Sequence, residues 1–561
     1  MQQPESHFEP TSAAVVDAAP TRLDEIRASV GRYGPIAGLL LVLLLTAVAR
    51  WQLLDIALER DEGEFAYGGR ALRQGELPYV AFYAMKLPGI YVAYALIESI
   101  FGTSARAIHL GLLCVNLANI SLVYLLGAKV FERVVGLVAA TAFALLTLSP
   151  AVFGTQAQAE HFVLLPALVG SVLVFNAVCH RRLWLFFPSG LAFGLALLVK
   201  QHGAVFAVAA MLYVAFWWPW RWRFEGLRCA QELGGLLLGI LIPVVATGLY
   251  FVARGAWAPF VFWTVTYASH YAVGETLAAG WGYFRDEFVR QVVWEGELWI
   301  AAAVGLGFVV LSRKYRGVRY FVLLWLTAGC LAVLPGLNFF GHYFLLLYPT
   351  VALCAGVGIV AAARGFATFG QFARAKGLVL ALGVLLWPAT ELYRFYSAYP
   401  LEALPRKLYG GNAFAELADV GRYLAEHSQP GDRLAVLGSE PQLFIYADRD
   451  SVSGHIYMYP LLEAQPFAEQ MQQQLIDDIE NGRPRWIVVT TNPYSWLRQE
   501  GSPVKIIDWI DPYLAAHYHS VARMEVYADR PSEFIEDAER LRNDPQGVHW
   551  IGVYRRNAGD E

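Results

Sequence analysis

The stretch Leu87-Pro88-Gly89-Ile90-Tyr91-Val92-Ala93-Tyr94-Ala95-Leu96-Ile97-Glu98-Ser99-Ile100-Phe101 decides how the chain is threaded. It is apolar, follows directly on Lys86 and carries Glu98 near its end. About 20 apolar residues are needed to cross a bilayer, and this run is shorter. It therefore reads as an interfacial or re-entrant helix that does not cross. That reading sets the side of every later loop, because one crossing more or less inverts them all.

Working outward, apolar runs fall at residues 35–54, 106–128, 134–152, 160–179, 183–199, 203–220, 229–253, 297–312, 318–336, 343–363 and 377–392. They predict a polytopic α-helical membrane protein with about eleven transmembrane helices. Charge placement supports the threading, because cytoplasmic loops collect Lys and Arg. One set of alternate loops holds Lys129 and Arg133; Arg181 and Arg182; Arg221, Arg223 and Arg228; Arg313, Lys314, Arg316 and Arg319; and Arg364, Arg374 and Lys376. The opposite turns at 153–159 and 337–342 hold neither Lys nor Arg. Composition agrees: 57 % of residues are hydrophobic and 16 % charged, against about 25 % charged in soluble chains. The net charge of −4 gives no argument for nucleic acid as a partner.

Three regions follow. Residues 1–33 contain Glu5, Glu9, Asp17, Asp24 and Glu25 and lack the basic start and short apolar core of a secretory signal. They are expected to be a disordered cytoplasmic tail. Residues 34–395 form the transmembrane domain, with an external loop at 55–105. Residues 396–561 have soluble composition and read as an extracytoplasmic α/β domain. Phe414, Leu417, Val420 and Leu424 have helical spacing. Leu434–Gly438, Gln442–Ala447, Trp486–Thr491 and His549–Arg555 are predicted strands, with an amphipathic helix near 464–481. The five cysteines lie in or beside apolar segments and form no zinc-like spacing. The segment 255–296 reads as an outer loop dense in aromatic residues. Such residues form interfacial belts, and a lid or acceptor platform is the functional alternative.

The threading gathers four distant features on the outer side: Asp61 and Glu62 with Lys86, Glu160-His161, Lys200-Gln201-His202, and His342-Tyr343. Ionisable groups at a membrane are costly and mark sites by default. A carboxylate opposite Lys and His suits transfer to a hydroxyl with an anionic leaving group. The carboxylate takes the proton and the cations meet the developing charge. Solvated loops, snorkelling Lys and an interfacial His-Tyr pair are the plainer readings. A transporter is the competing class, but it predicts mid-span charges and internal repeats; the acids here sit at one surface.

Arg60-Asp61-Glu62-Gly63-Glu64-Phe65-Ala66-Tyr67, then Gly75-Glu76-Leu77-Pro78-Tyr79, then Lys86-Leu87-Pro88-Gly89-Ile90-Tyr91 resemble the first external loop of GT-C membrane glycosyltransferases with polyprenyl-phosphate sugar donors. That family includes protein O-mannosyltransferases and the transferase that adds aminoarabinose to lipid A. Its usual Lys-Pro-Pro reads Lys86-Leu87-Pro88 here. The resemblance spans roughly residues 34–400. It implies Asp61 as catalytic base with Glu62 supporting it; Glu64 is extra to the pair and reads as a solvated acid. It implies Lys86, Lys200, His342 and Tyr343 as donor-phosphate ligands. Glu160, with His161 beside it, is supporting or shares a divalent cation with Asp61; the family is mixed on metals. The implied enzyme is an inverting glycosyltransferase at the outer face of a bacterial inner membrane. Its partners would be a polyprenyl-phosphate sugar, a glycolipid, polysaccharide or protein acceptor, and membrane lipids.

Overall fold

The computed structural model describes residues 22–221, 226–271, 275–366 and 372–559. The first nine longer helices are α1 (Arg22–Trp51), α2 (Arg60–Arg73), α3 (Gly89–Phe101), α4 (Ala105–Val130), α5 (Arg133–Leu146), α6 (Ala159–His180), α7 (Phe186–Val199), α8 (Ala204–Arg221) and α9 (Gly226–Ala253). Leu277–Leu311, Arg319–Val333, Tyr348–Phe366 and Ala373–Ser397 complete the bundle. Each expected span has its helix. Among the described residues, seven helices are long and apolar enough to cross a membrane. Helices α5, α7, α8 and Arg319–Val333 belong with the shorter apolar ones. The 14 residues of α5 reach only about 21 Å against a hydrocarbon core of about 30 Å, so length alone does not make each of them a crossing. The tail expected to be disordered is helical from Arg22 onward, and residues 1–21 lie outside the described residues.

Apolar side chains on the outside of the bundle need lipid around them. Leu40, Leu44 and Leu45 of α1 and Leu238, Leu249 and Val252 of α9 are all exposed. Within the bundle α7 and α9 meet backbone to backbone. A Cβ on Gly190 would lie 2.1 Å from the Leu236 carbonyl oxygen, and one on Gly239 would lie 2.3 Å from that of Phe187. Only glycine allows this approach, the usual device where helices pack without a hydrophobic driving force between them.

Helix α3 buries Ile90, Tyr91, Tyr94, Ile97 and Glu98 and exposes Val92, Leu96 and Ile100. An ion pair bears on its path: Asp55, just after α1, lies 2.5 Å from Arg106 at the start of α4. The end of α1 and the start of α4 are thus at one end of the bundle, as a hairpin that does not cross requires. Single cysteines at the exposed positions Asp55 and Thr103, in a background without the native cysteines, are expected to react alike with an impermeant thiol reagent. A cysteine at Arg316 should stay unlabelled from that side; labelling of Arg316 together with silence at Asp55 would invert the threading.

Most of the described part of segment 255–296 is helical. Trp257–Val261 is helical, Phe262–Tyr267 is π-helical, Ala268–Tyr271 forms a further turn, and Leu277 opens the long helix to Leu311. That helix bends at Glu295, with φ −136° and ψ 31°, close to where the apolar run begins. The aromatic residues fold because they have partners: Trp263 stacks on Tyr83 at 5.2 Å and Phe251 on Phe260 at 4.5 Å. Likewise Gly341–Leu346 is a 3-10 turn ahead of the helix that starts at Tyr348.

The C-terminal domain carries a 6-stranded sheet in the order β2-β1-β3-β6-β4-β5. Its strands are β1 (Arg433–Leu437), β2 (Asp450–Ser451), β3 (Trp486–Thr490), β4 (Tyr518–Val526), β5 (Glu533–Ile535) and β6 (His549–Arg556). Strands β2, β1 and β3 run parallel, and β6 and β5 pair antiparallel to their neighbours. The helices Phe414–His427 and Ala468–Gly482 fall where the periodicity places them. Gln442–Ala447 does not: Gln442–Tyr446 is a helix. Periodicity cannot separate strand from helix in so short an apolar run. Packing decides it, because Phe444 meets the Tyr67 ring of α2 at 5.3 Å.

The domain is seated on α2. The Arg70 guanidinium donates to the Phe444 and Arg449 carbonyls at 3.0 and 2.7 Å. Leu58 N donates to the Tyr446 hydroxyl at 2.7 Å. A Cβ on Gly63 would stand 2.3 Å from Gln442 N, so α2 and the domain touch through backbone.

Candidate active site

The site is built on the first turn of α2. Glu59 is its N-cap: its carboxylate accepts from Glu62 N at 2.9 Å, and Glu62 accepts from Glu59 N at 3.0 Å. This reciprocal capping box satisfies two otherwise orphaned amides. The other Glu62 oxygen accepts from Ala157 N at 2.7 Å and lies 3.0 Å from His109 Nε2. Glu62 is wholly buried and is committed to holding α2 against α4 and the turn before α6. It supports the site and faces no open space. Its neighbour Asp61 keeps 22 % of its side chain exposed.

Asp61 Oδ1 lies 3.9 Å from Lys86 Nζ, and Glu64 Oε2 lies 4.0 Å from the same ammonium. Glu64 is not solvated as expected: it is buried and accepts from the Tyr91 hydroxyl at 2.8 Å. The Lys86 ammonium also stands 5.2 Å over the Phe65 ring, and its own carbonyl accepts from the Tyr79 hydroxyl at 2.8 Å. Burial pushes the Asp61 carboxyl up, but Lys86, then His342 and Lys200, outweigh it and hold it below the ordinary aspartate value. Burial pushes Lys86 down, but Asp61 and Glu64 outweigh it and hold the ammonium above its ordinary value. Both groups are therefore charged at neutral pH.

The second half comes from three other elements. Lys200, just past α7, lies 2.5 Å from Glu160 at the start of α6 and 4.4 Å over the Tyr343 ring. His342 meets Tyr343 edge-on at 4.8 Å, and His202 meets the same ring at 5.0 Å. Tyr271 hydrogen-bonds Tyr343. Among the described residues, Glu160 Oε2, both ring nitrogens of His202 and His342 Nδ1 are buried without a hydrogen-bond partner. Buried polar atoms are nearly always paired. The imidazoles and the two lysines offer hydrogen-bond donors at this end of the bundle, whereas the free Glu160 oxygen offers only an acceptor.

The structure thus brings Asp61, Lys86, Glu160, Lys200, His342 and Tyr343 to one end of the bundle. His161 is buried and makes no ring hydrogen bond among the described residues; its carbonyl accepts from Asn119 at 2.9 Å. No group of three or more His, Cys, Asp or Glu side chains among the described residues is arranged to hold a metal ion. Each carboxylate once paired with a shared cation has a lysine instead.

Several site residues were not legible in the sequence. Tyr271 carries no motif of its own, and His202 was visible within Lys200-Gln201-His202 without an assigned role. Tyr91 ends the Lys-x-Pro-x-x-Tyr pattern and was visible without an assigned role. Tyr457 of the C-terminal domain donates to Asp61 Oδ1 at 3.2 Å, and nothing local to residue 457 signals it.

The helix bundle with a C-terminal domain seated on α2 has a GT-C-type fold, as its likeness to solved structures shows. Residues 86–251 match the family model for dolichyl-phosphate-mannose-protein mannosyltransferase, starting at Lys86. Among solved structures, ArnT from Cupriavidus metallidurans bound to undecaprenyl phosphate is similar at TM-score 0.56 and 15 % identity, over 93 % of this chain and 98 % of that one. The Archaeoglobus fulgidus oligosaccharyltransferase AglB, in complex with an inhibitory peptide and a dolichol-phosphate, is similar at TM-score 0.54 and 13 % identity, over 92 % and 75 %. A search of curated proteins returned no match.

Proposed function

We propose that this protein is an inverting glycosyltransferase that moves one sugar from a polyprenyl-phosphate carrier to an acceptor hydroxyl on the outer face of a bacterial inner membrane. The observation that carries the reading is the opposition of partly open Asp61 to two buried lysines within a cluster of unpaired polar atoms. Asp61 takes the acceptor proton as the acceptor oxygen bonds to the anomeric carbon. The bond from that carbon to the phosphate oxygen breaks, and polyprenyl phosphate leaves with the electron pair. A single displacement inverts the configuration. Lys86 and Lys200 meet the phosphate charge, with His342 and Tyr343 beside them. Burial holds His342 down near 4, so its imidazole is neutral and donates a hydrogen bond without adding charge.

The acceptor is a glycolipid or polysaccharide, as suits an enzyme whose donor and product both lie at a lipid surface. The test is purified protein in detergent with a polyprenyl-phosphate sugar and either a membrane glycolipid extract or a peptide acceptor, read by mass spectrometry. Sugar on the glycolipid supports the reading, sugar on the peptide makes the protein a protein O-mannosyltransferase-like enzyme, and transfer to neither rejects the function. Because lysines stand where a metal would, excess chelator is expected to leave the rate within about two-fold of the untreated enzyme. A loss restored by added divalent cation would overturn the assignment of the lysines.

A further inference from the structure

Asp61 is held from both sides of the interface between the bundle and the C-terminal domain. The Tyr457 hydroxyl donates to Asp61 Oδ1 at 3.2 Å. Met458 N, the next amide along, donates to Ser439 Oγ at 2.9 Å. The Ser439 carbonyl accepts from Arg60 Nε, and Arg60 is the residue before Asp61. Arg60 is anchored further by Glu440 at 2.8 Å and by Asn412 at 3.1 Å. The contacts therefore close a ring: Asp61, Tyr457, Met458, Ser439, Arg60 and back to Asp61. Ser439 is itself fixed, since its amide donates to Ser495 Oγ at 2.8 Å. The Tyr459 ring braces Tyr457 edge-on at 4.9 Å.

We propose that Tyr457 is a positioning residue for the reaction: the C-terminal domain completes the active site by holding the Asp61 carboxylate in place through this phenol. The inference rests on the transferase reading for its catalytic consequence, while the contact itself does not. A carboxylate that must accept a proton in one direction gains from having its other oxygen fixed. Side chains that fix a reacting group are what keep a site in productive geometry. The phenol is a donor that stays protonated, because burial and then the Asp61 charge push Tyr457 well above its ordinary value. It cannot compete with Asp61 for the acceptor proton.

The electrostatic setting of Asp61 makes the contact measurable. Lys86, Lys200 and His342 face it and lower its proton affinity, while Glu160 raises it. Glu59 and Glu64 face it from α2 itself. The phenols around it are Tyr91, Tyr94, Tyr271, Tyr343, Tyr457 and Tyr459. Only Tyr457 is seen to donate to it among the described residues. Removing a donor to a charged acceptor favours the neutral form.

The experiment is Tyr457→Phe in the full-length protein, with two readouts. The first is carbodiimide labelling of Asp61 against pH, quantified on the peptide; such reagents take the protonated carboxyl, so the midpoint reports the group without needing turnover. We expect the midpoint to rise by about 0.5–1 pH unit. The second is kinetics: kcat is expected to fall roughly three- to ten-fold, with the donor KM little changed. Tyr446→Phe removes a seat contact of the domain, the one from Leu58 N, without touching the ring. It should leave the Asp61 midpoint where it is. A Tyr457→Phe midpoint equal to wild type, or an equal shift in Tyr446→Phe, overturns the proposal. If Tyr457→Phe does not fold, Ser439→Ala opens the same ring at Met458 and should move the midpoint in the same direction; no movement there overturns it too. Wild-type protein that transfers no sugar rejects the transferase reading alone, because the labelling midpoint still decides Tyr457.

Discussion

With asparagine in place of Asp61, turnover is expected to fall by roughly 10²–10⁴-fold, the usual contribution of a positioned general base. Asparagine keeps the shape and the acceptor oxygen, so Tyr457 still has a partner at that position. What it cannot do is take the acceptor proton. Donor binding is therefore expected to stay close to wild type, measured by tritiated donor retention on the purified variant, and thermal unfolding should shift little. Glu62→Gln tests the contrast between the two adjacent acids. Its carboxylate accepts from two backbone amides and faces His109, so that variant should lose stability more than rate per folded molecule. If Asp61→Asn transfers sugar as fast as wild type, the base lies elsewhere. If transport of a lipid-linked sugar across sealed vesicles is the lost property instead, the protein is a transporter.

Lys86→Ala is expected to lower kcat/KM for the donor by roughly ten- to a hundred-fold, since a hydrogen bond to a charged group is worth about 1.5–3 kcal/mol. A second effect has the opposite origin. Lys86 leads the groups that overcome burial at Asp61, and without it the carboxyl loses its strongest stabiliser. The proton affinity of Asp61 then rises, so the acid limb of the pH–rate profile should move to higher pH. Wild-type Asp61, held below the ordinary aspartate value, remains a base through mildly acidic pH. Initial rates over a range of donor concentrations, at several pH values, separate the two effects. A snorkelling anchor would change neither the donor term nor the acid limb. Wild-type values for both, at normal expression, would assign Lys86 that plainer role.

Much of the membrane domain was legible because its causes are local. A helix satisfies its own amides, and a run of apolar side chains marks where it meets lipid. Every expected span therefore found a helix, and the short run with Glu98 forms the helix α3. Asp61 and Lys86 were legible as well, from a motif around them and from the cost of charges in such a place. Where a property depends on a partner, the reading stopped. Glu64 looks as solvent-exposed as any acid in a polar turn, yet Tyr91 and Lys86 bury it. The aromatic segment after Trp257 has no regular period, yet it folds against Tyr83 and Phe251.

The C-terminal domain divides along the same line. Leu434–Gly438 and Trp486–Thr491 are apolar strands buried along most of their length, His549–Arg555 is a strand buried only at its middle, and Phe414–His427 declares itself as a helix through its spacing. Gln442–Tyr446 is a helix because α2 packs on it. The hydrogen bond from Tyr457 joins residues 396 positions apart. Hydropathy and backbone hydrogen bonding act within a few turns of chain, so composition and period report them directly. Which phenol meets which carboxylate depends on how two folded units dock, and only the tertiary packing around Gly63, Arg60 and Ser439 decides that.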